Sequence, residues 1–204
     1  MASPKNGELC GIVLAGGKSS RLGQDKTRLI INGQNLLERM LSLAGIFCPR
    51  TYCVGRDIHV QGIRGPWMLD EIPGIGPMGG IITALKTLNS PCLVLACDLP
   101  CLDQATVRLL IDHRNARKND QCMTTFYQEK TGFIEALVSI YEPQCLELLL
   151  ASRKQGCYKL SRAIPSHRRC HIPYDPDQQH LFYNVNYPHD LDTIITGSPN
   201  IMKC

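Results

Sequence analysis

The run Gly11 to Ala15, GIVLA, is apolar at every position and is closed at once by Gly16 and Gly17. A strand without a polar face must be covered on both sides, the condition of a parallel strand in a helix-flanked sheet. The glycines that follow leave backbone N–H groups open to close approach by a ligand. A second run, Cys92 to Cys97 (CLVLAC), has the same character and ends on Asp98. Two such strands, each opening into a loop of polar and charged residues, restrict the chain to an α/β architecture.

The segments between them supply the helices. Leu36, Leu37, Met40, Leu41 and Ala44 recur at helical spacing and stop near Gly45. Met78 to Leu88 carries Ile81, Ile82, Leu85 and Leu88 on one face, and Gln104 to His113 carries Val107, Leu110 and Ile111. Thr51 to Val54, ending at Gly55, and the short Trp67 to Leu69 read as strands. Beyond residue 120 the pattern predicts a hairpin from Cys122 to Phe126 and Phe133 to Ile140, then a helix from Pro143 to Ser152. A Pro- and His-rich stretch follows from Ile164 to Gln179, then a strand at Tyr183 to Asn186 and a short helix at Asp190 to Ile195. This alternation favours a right-handed, mostly parallel sheet with helices on both faces. Without an internal repeat, low-complexity tract or linker, residues 1–204 are expected to form a single domain.

A chain of 204 residues, 44% of them hydrophobic, can bury a core without disulfides or metal. Its 22 Lys and Arg exceed its 18 Asp and Glu by a formal +4, spread along the chain. With 6% aromatic residues and no interleaving of aromatics with cations, a nucleic-acid partner is not expected, whereas small anions are. No apolar run approaches the roughly 18 residues of a membrane span, and MASPKNGELC carries no signal region, so a membrane is not expected either. The eleven cysteines include no CxxC pair, and His167, His171 and His180 match no zinc spacing. Thiols packed as small hydrophobes in a reducing cytoplasm are the expectation.

The chemistry is expected at the loops that follow the strands, because ligands of an open parallel sheet bind outside its carboxyl ends. The first loop, Ala15 to Lys26 (AGGKSSRLGQDK), lacks both the GxGxxG and the Walker spacing. It offers Gly16 and Gly17 for backbone contact with an anion, and Lys18, Arg21 and Lys26 to surround a triphosphate. Asp98, within CDLP, stands at a buried strand's edge where a carboxylate can bind Mg²⁺; Pro100 keeps Leu99 extended, while Asp103 reads as a helix cap. In FYNVNYPHDL, Asn184 and Asn186 would point to one side if extended and can serve a metal, phosphate or sugar. The loop Asp70 to Gly80 (DEIPGIGPMGG) combines glycines, Gly79 among them, that admit a base or phosphate with an Asp70 able to accept from a ribose or base.

At these loops the sequence resembles the molybdenum cofactor guanylyltransferase (MobA) family, within the wider class of sugar-phosphate-type nucleotidyltransferases. The matching text is LAGGKSSRLGQDK (Leu14 to Lys26), GPMGGI (Gly76 to Ile81), ACDLP (Ala96 to Pro100) and NVNYPHDL (Asn184 to Leu191), in that order along nearly the whole chain. The resemblance implies a Rossmann-like domain that uses Mg²⁺ and GTP to move GMP onto the terminal phosphate of Mo-molybdopterin, releasing pyrophosphate. It implies Leu14, Ala15, Gly16 and Gly17 at the guanine and phosphates, Lys26 at the phosphates, Asp70 near the nucleoside and Asp98 as the Mg²⁺ ligand. Asn184 and Asn186 would stand beside the pterin substrate or the metal, and Arg21 matches the motif's arginine. Transient contacts with molybdoenzymes or their chaperones are implied as well.

Gly17 resembles the guanine-selecting form, since relatives that use CTP carry LAAG. The chain departs from the family in Leu22 for Met, in Gly76 to Gly80 (GPMGG) where the loop often reads GPLAG, and in Tyr187 for Thr; residues 118–180 carry no assignable match. The substrate phosphate is itself the nucleophile, so Arg21, Lys26 and Asp98 would act by alignment and charge stabilisation with no protein nucleophile. Two other readings share these loops: a related transferase using CTP or another phosphorylated acceptor, and a nucleotide-binding regulatory domain without turnover.

Overall fold

The computed structural model describes residues 7–16, 29–31, 33–185 and 190 of the chain. Its strands are β1 (Cys10–Leu14), β2 (Ile30–Ile31), β3 (Gln34–Asn35), β4 (Arg50–Val54), β5 (Trp67–Met68), β6 (Cys92–Ala96), β7 (Met123–Gln128), β8 (Phe133–Tyr141) and β9 (Arg169–Pro173). Seven form one sheet in the order β5-β4-β1-β6-β8-β7-β9, and β2 with β3 makes a small ribbon. The strands from β5 to β6 are parallel, with Leu14 paired to Val54 on one side and Ala96 on the other. β8 runs antiparallel between β6 and β7, and β9 returns parallel to β7. The expected mostly parallel α/β sheet is therefore present, with β8 reversed inside it.

Helices α1 (Leu36–Phe47), α2 (Pro77–Leu88), α3 (Gln104–Ala116), α4 (Cys145–Lys154) and α5 (Leu160–Ala163) cover both faces. The period-2 alternation of the central strands decides which side chain meets which helix. Val13, Leu93 and Leu95 pack with Leu37 and Met40 of α1 and Val107 and Leu110 of α3. Ile12, Leu14 and Val94 point the other way, onto Met78, Ile81 and Leu85 of α2 and Leu149 of α4. This two-sided burial is why the strands carry no polar position.

Local chemistry fixes where the helices begin. The Asn35 side chain accepts from the Glu38 N–H at 3.1 Å and opens α1, and Asp103 accepts from the Thr106 N–H at 2.8 Å and opens α3. α1 ends near Gly45, as its spacing predicted, running two residues further to Phe47, which packs against the core, and the Cys48 N–H bonds to the Ala44 carbonyl at 3.0 Å. The Pro- and His-rich stretch contains β9, unseen in the sequence because Arg169 and His171 interrupt its apolar pattern around a buried Ile172. Residues 183–185 form no strand, in contrast to the expectation, since the Val185 N–H turns instead onto the Asp98 carbonyl at 3.0 Å. Asn186 and the rest of the expected last helix beyond Asp190 lie outside the described residues.

Glu142 is nearly fully buried and receives Arg114 through two bonds of 2.7 and 3.2 Å, with Arg117 at 3.2 Å. It ties α3 to the end of β8. Glu142→Gln is expected to cost about 2 kcal/mol, the loss of a charge-assisted pair whose arginines stay partly hydrated. Urea denaturation with an unchanged slope and a lower midpoint would register it; an unchanged midpoint would contradict it.

The thiols of Cys10, Cys48, Cys53, Cys92, Cys122 and Cys145 are buried and unbridged, as small hydrophobes, whereas Cys101 is disulfide-bonded, in contrast to the expectation of reduced thiols. Burial pushes the Cys48 and Cys53 thiols up to about 12, so neither forms a thiolate nucleophile near neutrality. Among the described residues no helix is long and apolar enough to cross a membrane.

Candidate active site

The carboxyl edge of the sheet gathers the described candidates. β1 leads into Ala15 and Gly16, with the Ala15 N–H bonded to the Val54 carbonyl at 2.9 Å and the Cys97 N–H to the Leu14 carbonyl at 3.2 Å. These bonds carry the parallel ladder one step past the strands, so Leu14, Ala15, Gly16 and the turn holding Asp98 end side by side. Neighbouring strands are about 4.8 Å apart, which sets the scale of this juxtaposition. Gly17, Lys18, Arg21 and Lys26 lie outside the described residues.

Gly16 stands against Gly55, a contact between distant segments that no local signal announces. Gly55 has φ +95°, and a Cβ there would lie 2.8 Å from the Gly16 Cα and 2.9 Å from its nitrogen. Two loops therefore pass each other at a distance that only glycine permits. Gly55 was visible in the sequence only as the end of a strand, because the contact is made between distant segments.

The loop after β5 is built around Asp70. Its Oδ1 accepts from the Ile72 N–H at 2.8 Å and from the Thr83 hydroxyl at 3.5 Å, while that hydroxyl accepts from the Glu71 N–H at 3.0 Å. Gly79 is buried beneath it: a Cβ would lie 2.5 Å from the Ile72 carbonyl and 2.6 Å from the Asp70 carboxylate. Gly80 is equally close-packed, 2.9 Å from Leu14 by the same measure. In this arrangement Asp70 and Gly79 shape the loop that leads into α2.

Asp98 is half-buried between the buried Cys97 and Leu99, directly after the most buried strand. The Val185 bond to its carbonyl brings Asn184 to the same edge. A cleft of about 630 Å³ opens there on the side of β8, lined by Asn184, Glu135, Tyr174, Tyr183 and Asp190 among others. The Tyr174 hydroxyl donates to Glu135 Oε1 at 2.7 Å, and the Tyr183 hydroxyl donates to Asp190 Oδ1 at 2.7 Å. Burial raises the Glu135 carboxyl above its ordinary value against the lowering effect of Tyr174. Because the folded form holds its proton more tightly, this group costs stability as pH rises from the ordinary glutamate range through the raised value. Burial, with the Asp190 bond second, pushes the Tyr183 hydroxyl up to about 12. Glu135, Tyr174 and Asp190 were not singled out as binding residues, because they come from three distant segments and the first two fall in the stretch without a motif.

Among the described residues no three His, Cys, Asp or Glu side chains converge on a metal position. The donor set at Asp98 nevertheless fits Mg²⁺, which is commonly held by one or two carboxylates with phosphate oxygens and water completing its shell.

Residues 11–170 match the sequence profile of the MobA-like NTP transferase domain. The chain is 30% identical over 207 residues to a probable molybdenum cofactor guanylyltransferase of Chloroflexus aggregans, covering 95% of this chain and 97% of that one. It is also 30% identical over 190 residues to a molybdenum cofactor biosynthesis bifunctional protein of Synechocystis, where 91% of this chain spans about half, 53%, of the longer protein. The fold superposes on molybdopterin-guanine dinucleotide biosynthesis protein A of Archaeoglobus fulgidus with a TM-score of 0.72 at 24% identity, over 90% of this chain and 95% of that one. The profile match covers the β1 glycines, the Asp70 loop and Asp98 in one continuous span, so the chain belongs to the MobA-like NTP transferase family, that of the molybdenum cofactor guanylyltransferases.

Proposed function

We propose that the chain acts as one domain over residues 1–204 that transfers GMP from GTP to the terminal phosphate of Mo-molybdopterin, in the cytoplasm. The observation that carries the reading is the position of Asp98 at the middle of the sheet's carboxyl edge. Gly16 and the Asp70 loop stand on one side of it, and the cleft with Asn184 stands on the other. A nucleotide on the first side and an acceptor on the second would meet at Asp98.

In the reaction a terminal phosphate oxygen of the acceptor attacks the α-phosphorus of GTP. The bond from that phosphorus to the bridging oxygen breaks, and pyrophosphate leaves with the electron pair. Leu14, Ala15, Gly16, Gly17 and Gly79 shape the guanine and phosphate side, with Asp70 holding the nucleoside loop. Lys18, Arg21 and Lys26 offset the charge of the leaving pyrophosphate. Asn184 and Asn186 orient the acceptor. Asp98 would hold Mg²⁺ together with the phosphates, and that ion supplies charge neutralisation at the reacting centre. Rate enhancement then comes from alignment and electrostatics.

Calorimetric titration with GTP, CTP and ATP in the presence of Mg²⁺ tests the nucleotide. The expected result is a clear GTP preference that is much weakened in Asp98→Ala. A preference for CTP, or none, would overturn the guanylyl assignment.

A further inference from the structure

The cleft beside Asp98 has a composition that argues for one part of the acceptor against the others. Its two carboxylates, Glu135 and Asp190, each receive a tyrosine hydroxyl at 2.7 Å and so have fixed orientations. Tyr174 occupies Oε1 of Glu135 and is the only partner that carboxylate has among the described residues, which leaves Oε2 able to accept from a ligand. Phe133, 58% exposed, also lines the cleft as an aromatic side chain open to solvent. Gln128 and Gln179 add neutral amide groups.

Such a lining disfavours a phosphate, because two carboxylates would face it with like charge. It favours a planar heterocycle that stacks on an aromatic face and presents an edge of N–H donors. The aminopteridine end of molybdopterin is such a group, and the cleft ends near Asp98, since its lining residue Asn184 directly precedes Val185, whose N–H bonds to the Asp98 carbonyl.

We propose that Glu135, oriented by Tyr174, is the specificity residue that accepts hydrogen bonds from the N–H edge of the acceptor's pteridine ring. This rests on the transfer reading above for the identity of the acceptor. Glu135→Gln reverses the local pattern: its amide oxygen takes the Tyr174 bond, and its NH₂ then meets the ring's own donors.

Fluorescence titration with free 2-amino-4-oxopteridine and with its 2,4-dioxo analogue, which lacks the amino group, tests this. The parent protein is expected to bind the amino compound on the order of tenfold more tightly, the difference of one charge-assisted bond. Glu135→Gln should abolish that preference, leave GTP affinity unchanged, and unfold at no lower a temperature at neutral pH, since it removes a carboxylate that is costly to bury. Should it fail to fold, Tyr174→Phe, which frees the carboxylate from its orienting bond, is expected to reduce the preference severalfold. Equal binding of both pteridines, binding of neither up to millimolar concentration, or a preference that survives both substitutions overturns the proposal. If GTP does not bind while the Glu135-dependent preference persists, the transfer reading falls and the ring preference stands; if GTP binds without that preference, this inference alone falls.

Discussion

Asp98→Asn is expected to lower the rate of nucleotidyl transfer by about a thousandfold while leaving the thermal midpoint almost unchanged. The loss is of the size seen when one preorganised electrostatic group is taken from a polar site. The stability should survive because the side chain is only half-buried and asparagine keeps its shape and volume. The Val185 N–H is fastened to the Asp98 backbone carbonyl, which the substitution keeps, and the next helix is capped by Asp103. A steady-state assay of pyrophosphate release beside a melting curve separates the two effects. Retained turnover would remove Asp98 from the chemistry, and a collapsed midpoint would make it a structural residue.

Gly55→Ala is expected to cost about 2–5 kcal/mol and to weaken nucleotide binding in whatever folds. Two separate penalties contribute. A non-glycine residue at φ +95° is strained by about 1–2 kcal/mol. The added Cβ also meets the Gly16 backbone at 2.8 Å, overpacking of a kind that costs about 1–3 kcal/mol when the neighbour cannot yield. Gly16 is the neighbour that must move, and it begins the loop proposed to hold the phosphates. Denaturant midpoints and GTP titration on the same preparation would show both changes. A variant as stable as the parent, with parental GTP affinity, would mean that the two loops are not held as the structure places them.

What the sequence disclosed follows from how local each signal is. β1 and β6 are all-apolar runs, and their burial on both faces is the direct consequence; Asp98 was legible because a carboxylate directly after such a run has only the strand's edge to occupy. Asp103 was legible as a cap because the contact spans three residues. The reversed β8 was anticipated only as a hairpin partner, and β9 was missed, because pairing between β7 and β9 is decided by segments more than forty residues apart. The Gly16–Gly55 contact, the burial of Gly79 under Asp70 and the Tyr174–Glu135 pair belong to the same class. Each is tertiary, and each uses a residue type that in isolation reads as a turn or a solvated surface.

The most direct test of the account is to incubate the purified protein with GTP, Mg²⁺ and Mo-molybdopterin and identify the products by mass spectrometry. A molybdopterin guanine dinucleotide is expected together with an equal amount of pyrophosphate, and neither product when the acceptor is left out. GTP bound without any dinucleotide, or a cytosine dinucleotide formed preferentially when CTP competes, would contradict it.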